Sequence, residues 1–281
     1  MKKRLPLFSL FIACTMTVSG QPATNLALNG DATGGLENWT GPVQLTEGGP
    51  QGAPCFSVTG GKMLMTRDLI EIDPSKTYRL SGTFKSGGTG PSIALVGLRF
   101  FNADEKIIDA NAVSAVPDSD TILSAEAGTG STQVKVQDAA SWEKVLQTQR
   151  LAIAFATDAS GEYKDLPNFQ TQRVTDLQVG DEGWDVSLEK PLDRSYPKGT
   201  LVRAHLFSGH FMYAFTLNNH LADWTNYQGV IKPVVKNGSP GSTFWPGTKY
   251  VKIMILANWG QGEGETLLFG NISLEEVEPE S

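Results

Sequence analysis

Cysteine is nearly missing from this 281-residue chain, which has 2, and histidine is little commoner at 3. Cys14 and Cys55 cannot make the disulfide framework of a small secreted scaffold. Cys55 reads instead as a small buried hydrophobe. No cluster of Lys and Arg occurs either, and the formal net charge is −7. A surface of that sign repels phosphate backbones, which makes nucleic acid a poor candidate partner. It speaks more weakly against highly anionic polysaccharides. After the first twenty residues no apolar run is long enough to span a bilayer. Helical periodicity is scarce, with "AASWEKVLQTQ" (139–149) the single short candidate.

Signs of catalysis or metal binding are equally thin. No H-E-x-x-H occurs, and His205 and His210 stand five apart, so on one strand they would point to opposite faces. "EIDPSK" (71–76) puts Glu71 and Asp73 on one face. Lys76 then stands where a retaining glycosidase would need its second carboxyl, so the segment reads as a turn before a strand. "GTGST" (128–132) is a glycine-rich turn with no helix after it and cannot cradle a phosphate as a P-loop does.

What the chain does contain is strand and turn material, with 30 Gly, 15 Pro and abundant Thr and Val. Residues 1–20 read as a signal peptide: basic "MKKR", an apolar run, then Val18-Ser19-Gly20 before a cut at Gln21. "LFIAC" (10–14) also resembles a lipobox, which would anchor the chain through a lipid on Cys14. Either route implies export. Loss of Lys2, Lys3 and Arg4 with the signal would leave a formal charge of −10.

Period-two patterning is clearest at Tyr78, Leu80, Gly82 and Phe84, which alternate with Arg79, Ser81, Thr83 and Lys85. In "SIALVGLRFFN" (92–102), Ala94, Val96, Leu98 and Phe100 share one face; Leu95, Gly97, Arg99 and Phe101 share the other. A short strand is expected at Asn25–Asn29. The texture changes near Pro117. "VGDEGW" (179–184) then marks a hairpin inside a block with its own strands. The expected organisation is therefore an all-β sandwich carried by 24–117 and 208–278, interrupted by a small inserted β-domain at 118–207.

Residues 24–117 and 208–278 resemble the jelly-roll carbohydrate-binding modules of the cellulose- and xylan-binding type. The likeness rests on "NLALNGDATGGLENW", "IEIDPSKTYRLSGTFKS", "GLRFFNADEKII", "ADWTNYQGVI", "FWPGTKYVKIMILAN" and "LLFGNISLEEV". It implies a jelly-roll β-sandwich that binds carbohydrate without catalysing a reaction. Such modules often hold a structural calcium. Here the usual carboxylate places read Ala32-Thr33 and Gly270-Asn271, leaving Asp31, Glu37 and Asn271 as oxygen donors.

Sugar binding needs aromatic platforms with polar groups at their rim. Trp39 and Trp224 read as core, and Trp142 and Trp184 as the small core of the insertion; Trp245 stays open. In "KYVKIMILANWGQGEG" (249–264), parity groups Trp259 with core-facing Val251, Ile253, Ile255 and Ala257, although strand geometry could end before it. Tyr250, Lys252, Met254 and Asn258 occupy the reverse face, which Arg99 can share. The candidate ligand-binding residues are Trp259, Tyr250, Asn258 and Arg99, with no catalytic residue. Two other readings remain open. One is a structural or adhesive surface protein. The other is a polysaccharide lyase or hydrolase drawing on His205, Arg203 and Tyr213.

Overall fold

The computed structural model describes residues 24–157, 163–209, 211–236, 241–261 and 263–279. The signal peptide, the lipobox with Cys14 and the ring of His210 lie outside these residues. Two antiparallel sheets face each other as a β-sandwich of jelly-roll type. One runs in the order β16 (Thr225–Ile231), β6 (Thr77–Ser86), β18 (Thr266–Val277), β3 (Cys55–Thr59) and β2 (Gln44–Thr46). The other runs β1 (Trp39–Thr40), β4 (Lys62–Thr66), β17 (Tyr250–Ala257), β7 (Ser92–Phe101) and β15 (Met212–Asn219). Two short strands, β5 (Ile70–Glu71) and β8 (Ile107–Ile108), complete this seven-stranded sheet by pairing with β17 and β7.

The strands form where alternation supplies one apolar face. Leu80 and Phe84 of β6 and Ala94, Val96, Leu98 and Phe100 of β7 are buried between the sheets. Trp39 closes one end of this core, its ring 5.4 Å from Phe56 and 5.5 Å from Phe269, and its indole N–H donates to the Asn29 carbonyl. Trp245 is also core, packed 4.8 Å from Phe100. Cys55 is buried, and desolvation, with the Glu47 charge second, pushes its thiol pKa up.

A third, six-stranded sheet takes all its strands from residues 121–206. Its order is β10 (Gln133–Val136), β13 (Gly183–Leu188), β12 (Thr171–Gly180), β11 (Leu151–Phe155), β14 (Leu201–Leu206) and β9 (Thr121–Ile122). The hairpin at "VGDEGW" pairs Gly180 with Gly183 across β12 and β13. This sheet has its own core around Trp142, Phe155, Leu151 and Val186. Trp142 lies on α2 (Ala140–Leu146), the helix that the sequence signals.

Three expectations need correction. Asn25–Asn29 forms no strand: the Asn25 side chain instead bonds the Ile272 carbonyl and the Leu274 N–H, and Asn29 takes φ 53°. A four-residue helix, α1 (Ala110–Val113), was not signalled, because four residues carry no period. Trp224 is not core. Its partly exposed indole donates to the Gly48 carbonyl and ties down that loop.

Where the two cores meet, α1 and the loop after β11 form a joint. Asn168 N–H donates to the Ala112 carbonyl at 2.7 Å, and Leu206 N–H donates to Ser114 at 2.8 Å. Beneath lies a buried polar network. Arg203 donates to Asp165 at 2.6 Å and through Nε to His205 Nε2 at 2.8 Å. His205 Nδ1 faces the Asn111 carbonyl at 2.6 Å, so the proton sits on Nδ1 and the ring is neutral. Burial, then the Arg203 charge, lowers the His205 pKa to about 4 from 6.5, while the Asn111 carbonyl opposes the shift.

Between pH 6.5 and 4 the unfolded chain therefore binds a proton that the folded chain refuses, and stability falls as pH falls across that window. Denaturant midpoints measured from pH 7 to 5 should show this decline before carboxylates begin to titrate. His205→Gln should flatten it. A midpoint independent of pH in the native protein would contradict a buried neutral ring.

Candidate functional site

The outer face of the seven-stranded sheet is built by the reverse parity of the strands that line the core. Register places Met254 between Met65 and Gly97, and Leu256 between Met63 and Leu95. Tyr213 on β15 stands opposite Gly97. Phe211, Met254 and Leu256 pack together here, with Met65 and Leu95 against them. The result is an apolar floor on a face that carries no second sheet of the sandwich. Met63 is 52% exposed and Tyr213 45% exposed, and the Tyr213 ring meets Phe211 edge-on at 4.5 Å. Gly97 cannot be larger, because a Cβ there would lie 1.8 Å from the Met212 carbonyl oxygen. The bulge in β15 between Tyr213 and Phe215 presses the backbone onto it.

At the end of this face the chain reverses its parity. β17 ends at Ala257, and Asn258 adopts φ 50°, a left-handed conformation that asparagine tolerates better than most residues. Its amide turns inward and donates to the carbonyls of Val58, Gly60 and Glu265. Those acceptors belong to the end of β3 and the approach to β18, so Asn258 fastens one sheet to the other. Trp259, one residue on, is thrown outward and is 57% exposed, while its N–H donates to the Ile93 carbonyl.

The two residues thus exchange the places that parity assigns. Asn258, expected on the outer face, is 0% exposed, with its amide N–H groups spent internally and its Oδ1 buried without a partner. Trp259, grouped with the core by alternation, is open to solvent. The signal is Asn followed by Trp-Gly at a strand end, where a left-handed residue breaks the period of two. Tyr250 and Arg99 do lie on the outer face, both partly exposed, opposite Phe101 and Lys252 respectively. The structure therefore brings Tyr250, Arg99 and Tyr213 to one face, with Trp259 at its end, and removes Asn258.

Arg203, His205 and Tyr213 do not converge. Arg203 and His205 are buried in the six-stranded sheet with their polar atoms paired, whereas Tyr213 is exposed on the other sheet. A cavity of about 850 Å³ is lined by Glu71, Asp73, Tyr78, Lys249 and Glu276 among others. Glu71 there pairs with Lys249 and Glu276 with Lys76. Tyr78 is buried, so no aromatic surface is displayed in it.

The resemblance leaves Asp31, Glu37 and Asn271 as oxygen donors for a calcium. Asp31 Oδ1 accepts from the backbone and hydroxyl of Thr33. Asn29 donates from its amide to the Gly35 and Glu37 carbonyls. Among the described residues no group of three or more His, Cys, Asp or Glu is placed to hold a metal. No helix among them is long and apolar enough to cross a membrane.

No family model matches the chain, and no curated protein matches it in sequence. Solved structures do. A family 16 carbohydrate-binding module is 13% identical, with 90% of this chain and 100% of that chain covered and a TM-score of 0.34. The module TmCBM61, solved with β-1,4-galactotriose, is 12% identical over 91% of this chain and 100% of that one, with a TM-score of 0.33. The enzymatically active domain of tailspike protein 4 of bacteriophage CBA120 is 9% identical, with a TM-score of 0.37. That match covers 90% of this chain but 21% of the tailspike domain.

Proposed function

We propose that this chain is an exported, non-catalytic carbohydrate-binding protein whose ligand lies across the outer face of the seven-stranded sheet. One observation carries the reading: that face has an apolar floor with exposed aromatic side chains, Tyr213 on it and Trp259 at its end. Pyranose rings present apolar C–H faces that stack on such side chains. The outer face of the five-stranded sheet offers no equivalent. It presents Arg79, Ser81, Thr83 and Lys85 beside Asn226 and Gln228, polar groups without an aromatic platform.

The register positions beside Tyr213 and Trp259, Gly97 and Ile93, stand four residues apart on β7, about 13 Å by strand rise. That span exceeds one sugar ring and suits an oligosaccharide or polymer. Residues 118–207 are proposed as an inserted unit that leaves this face to the sandwich. Export rests on the amino-terminal pattern of the sequence.

Affinity expected for a shallow face is about 10 µM to 1 mM. Electrophoresis through gels containing a panel of polysaccharides should show retardation by at least one. Trp259→Ala and Tyr213→Ala should each weaken that retardation about tenfold or more without lowering the melting temperature appreciably. If nothing in a broad panel slows the protein, the reading fails. The apolar floor would also suit a protein partner, and sizing by light scattering would reveal that as a stable oligomer or complex.

A further inference from the structure

In the middle of the same outer face two cations stand directly opposite one another. Lys252 on β17 is in register with Arg99 on β7, which puts their Cβ atoms about 5 Å apart. Like charges in that arrangement destabilise a sheet unless something compensates them. Among the described residues neither side chain has a carboxylate partner. Lys252 Nζ donates to the Arg67 carbonyl and stands 5.9 Å from the centre of the Phe101 ring. Arg99 Nε is buried with no hydrogen-bond acceptor. The acidic residue nearest in register, Glu71 opposite Tyr250, is already engaged by Lys249.

From this pair we infer that the saccharide bound here carries a carboxylate, as a uronic acid does, and that Arg99 and Lys252 receive it. The inference rests on the carbohydrate-binding reading and adds the class of sugar to it. Arg99 is partly exposed, so its terminal guanidinium N–H groups can meet the two oxygens of a carboxylate, and the neighbouring ammonium supplies a second positive charge. One anion placed between them would cancel their mutual repulsion. Tyr213, one alternation further along the face and 45% exposed, would meet the apolar side of the ring.

The overall negative charge of the chain does not oppose this. Charges beyond about 10 Å are largely screened at physiological salt, so the local pair governs what docks on it. The net charge instead argues for carboxylates over the denser charge of a sulfated polymer.

The test is titration calorimetry of the full chain against polygalacturonate and alginate, each compared with its own carboxyl-reduced form. At least one of the intact polymers should bind. Carboxyl reduction should weaken its binding about tenfold, as should Arg99→Gln, with Lys252→Gln weakening it less. Binding should also weaken as ionic strength rises. Melting temperatures of both variants should equal or exceed that of the native protein, because each relieves a like-charge contact.

If reduced and intact polymers bind equally, or if the double variant binds as the native protein does, the carboxylate inference is overturned while sugar binding stands. If neither form of any polymer binds and neutral glycans also fail, both readings fall together. Should a variant not fold, the salt dependence and the carboxyl-reduction comparison decide the question on the native protein alone.

Discussion

Asp165→Ala is expected to lower the unfolding free energy by about 3–5 kcal/mol, because it strands a buried guanidinium. The Asp165 and Arg203 side chains are each 2% exposed and meet at 2.6 Å. Asp165 Oδ2 also accepts from the Asn168 amide at 2.9 Å and from the Thr157 N–H at 3.3 Å. Removing it leaves those donors unpaired along with the cation. Arg203 could not recover by leaning on His205, whose Nε2 already accepts from Arg203 Nε and whose Nδ1–H is committed to Asn111.

The loss should be local as well as global. Hydrogen exchange should accelerate first in β11, β14 and α1, the elements that this network joins, before the facing sheets of the sandwich respond. Asp165→Asn keeps hydrogen-bonding atoms in place and should cost less than alanine. Combining Asp165→Asn with Arg203→Met removes both charges together and should recover part of the loss. If Asp165→Ala changed stability by less than about 1 kcal/mol, the network would have to be reachable by water.

Asn258→Ala is expected to cost about 3 kcal/mol, chiefly from the carbonyls of Val58, Gly60 and Glu265 losing their shared donor. The left-handed backbone at φ 50° adds strain for alanine. Asn258→Gly separates the two causes, since glycine keeps the conformation and loses only the amide. Denaturant unfolding should therefore rank native above glycine above alanine. Trp259→Ala should by contrast stay within about 0.5 kcal/mol of the native protein, because an exposed ring contributes little to folding. The two neighbours would then split cleanly, one governing stability and the other ligand retention. An Asn258→Ala variant as stable as the native protein would undo the assignment of the inter-sheet clasp.

The sandwich was legible in the sequence where alternation is long and uninterrupted. Leu80 and Phe84 on one strand and Ala94 to Phe100 on another announce their buried faces without help. The hairpin at Gly180–Gly183 is equally plain, because its turn residues stand between two alternating runs. Arg99 and Tyr250 could be placed on the outer face for the same reason, as both lie within β-strands of regular pleat.

Misreading began where the period stopped. Asn25–Asn29 has a strand's composition, but its asparagines satisfy their neighbours through side-chain amides and never enter a ladder. Trp224 looked like core because its segment resembles a strand of the carbohydrate-binding modules, yet its N–H serves a loop carbonyl at the surface. At Asn258 a single left-handed residue turns Trp259 to the opposite face.

What the sequence determined by itself, then, is the long alternating strands, the face each of these buries and the acidic, cysteine-poor character of the surface. These follow from side-chain chemistry and the two-residue repeat, which are local properties. Only the tertiary structure decided that Trp259 is displayed, that Asn258 clasps the sheets, and that Lys252 stands opposite Arg99. It likewise gathered Asp165, Arg203, His205 and Asn111 into one buried network. Those outcomes depend on strand register and on which carbonyls come within reach of a side chain, and residues far apart in sequence share no local pattern that would reveal them.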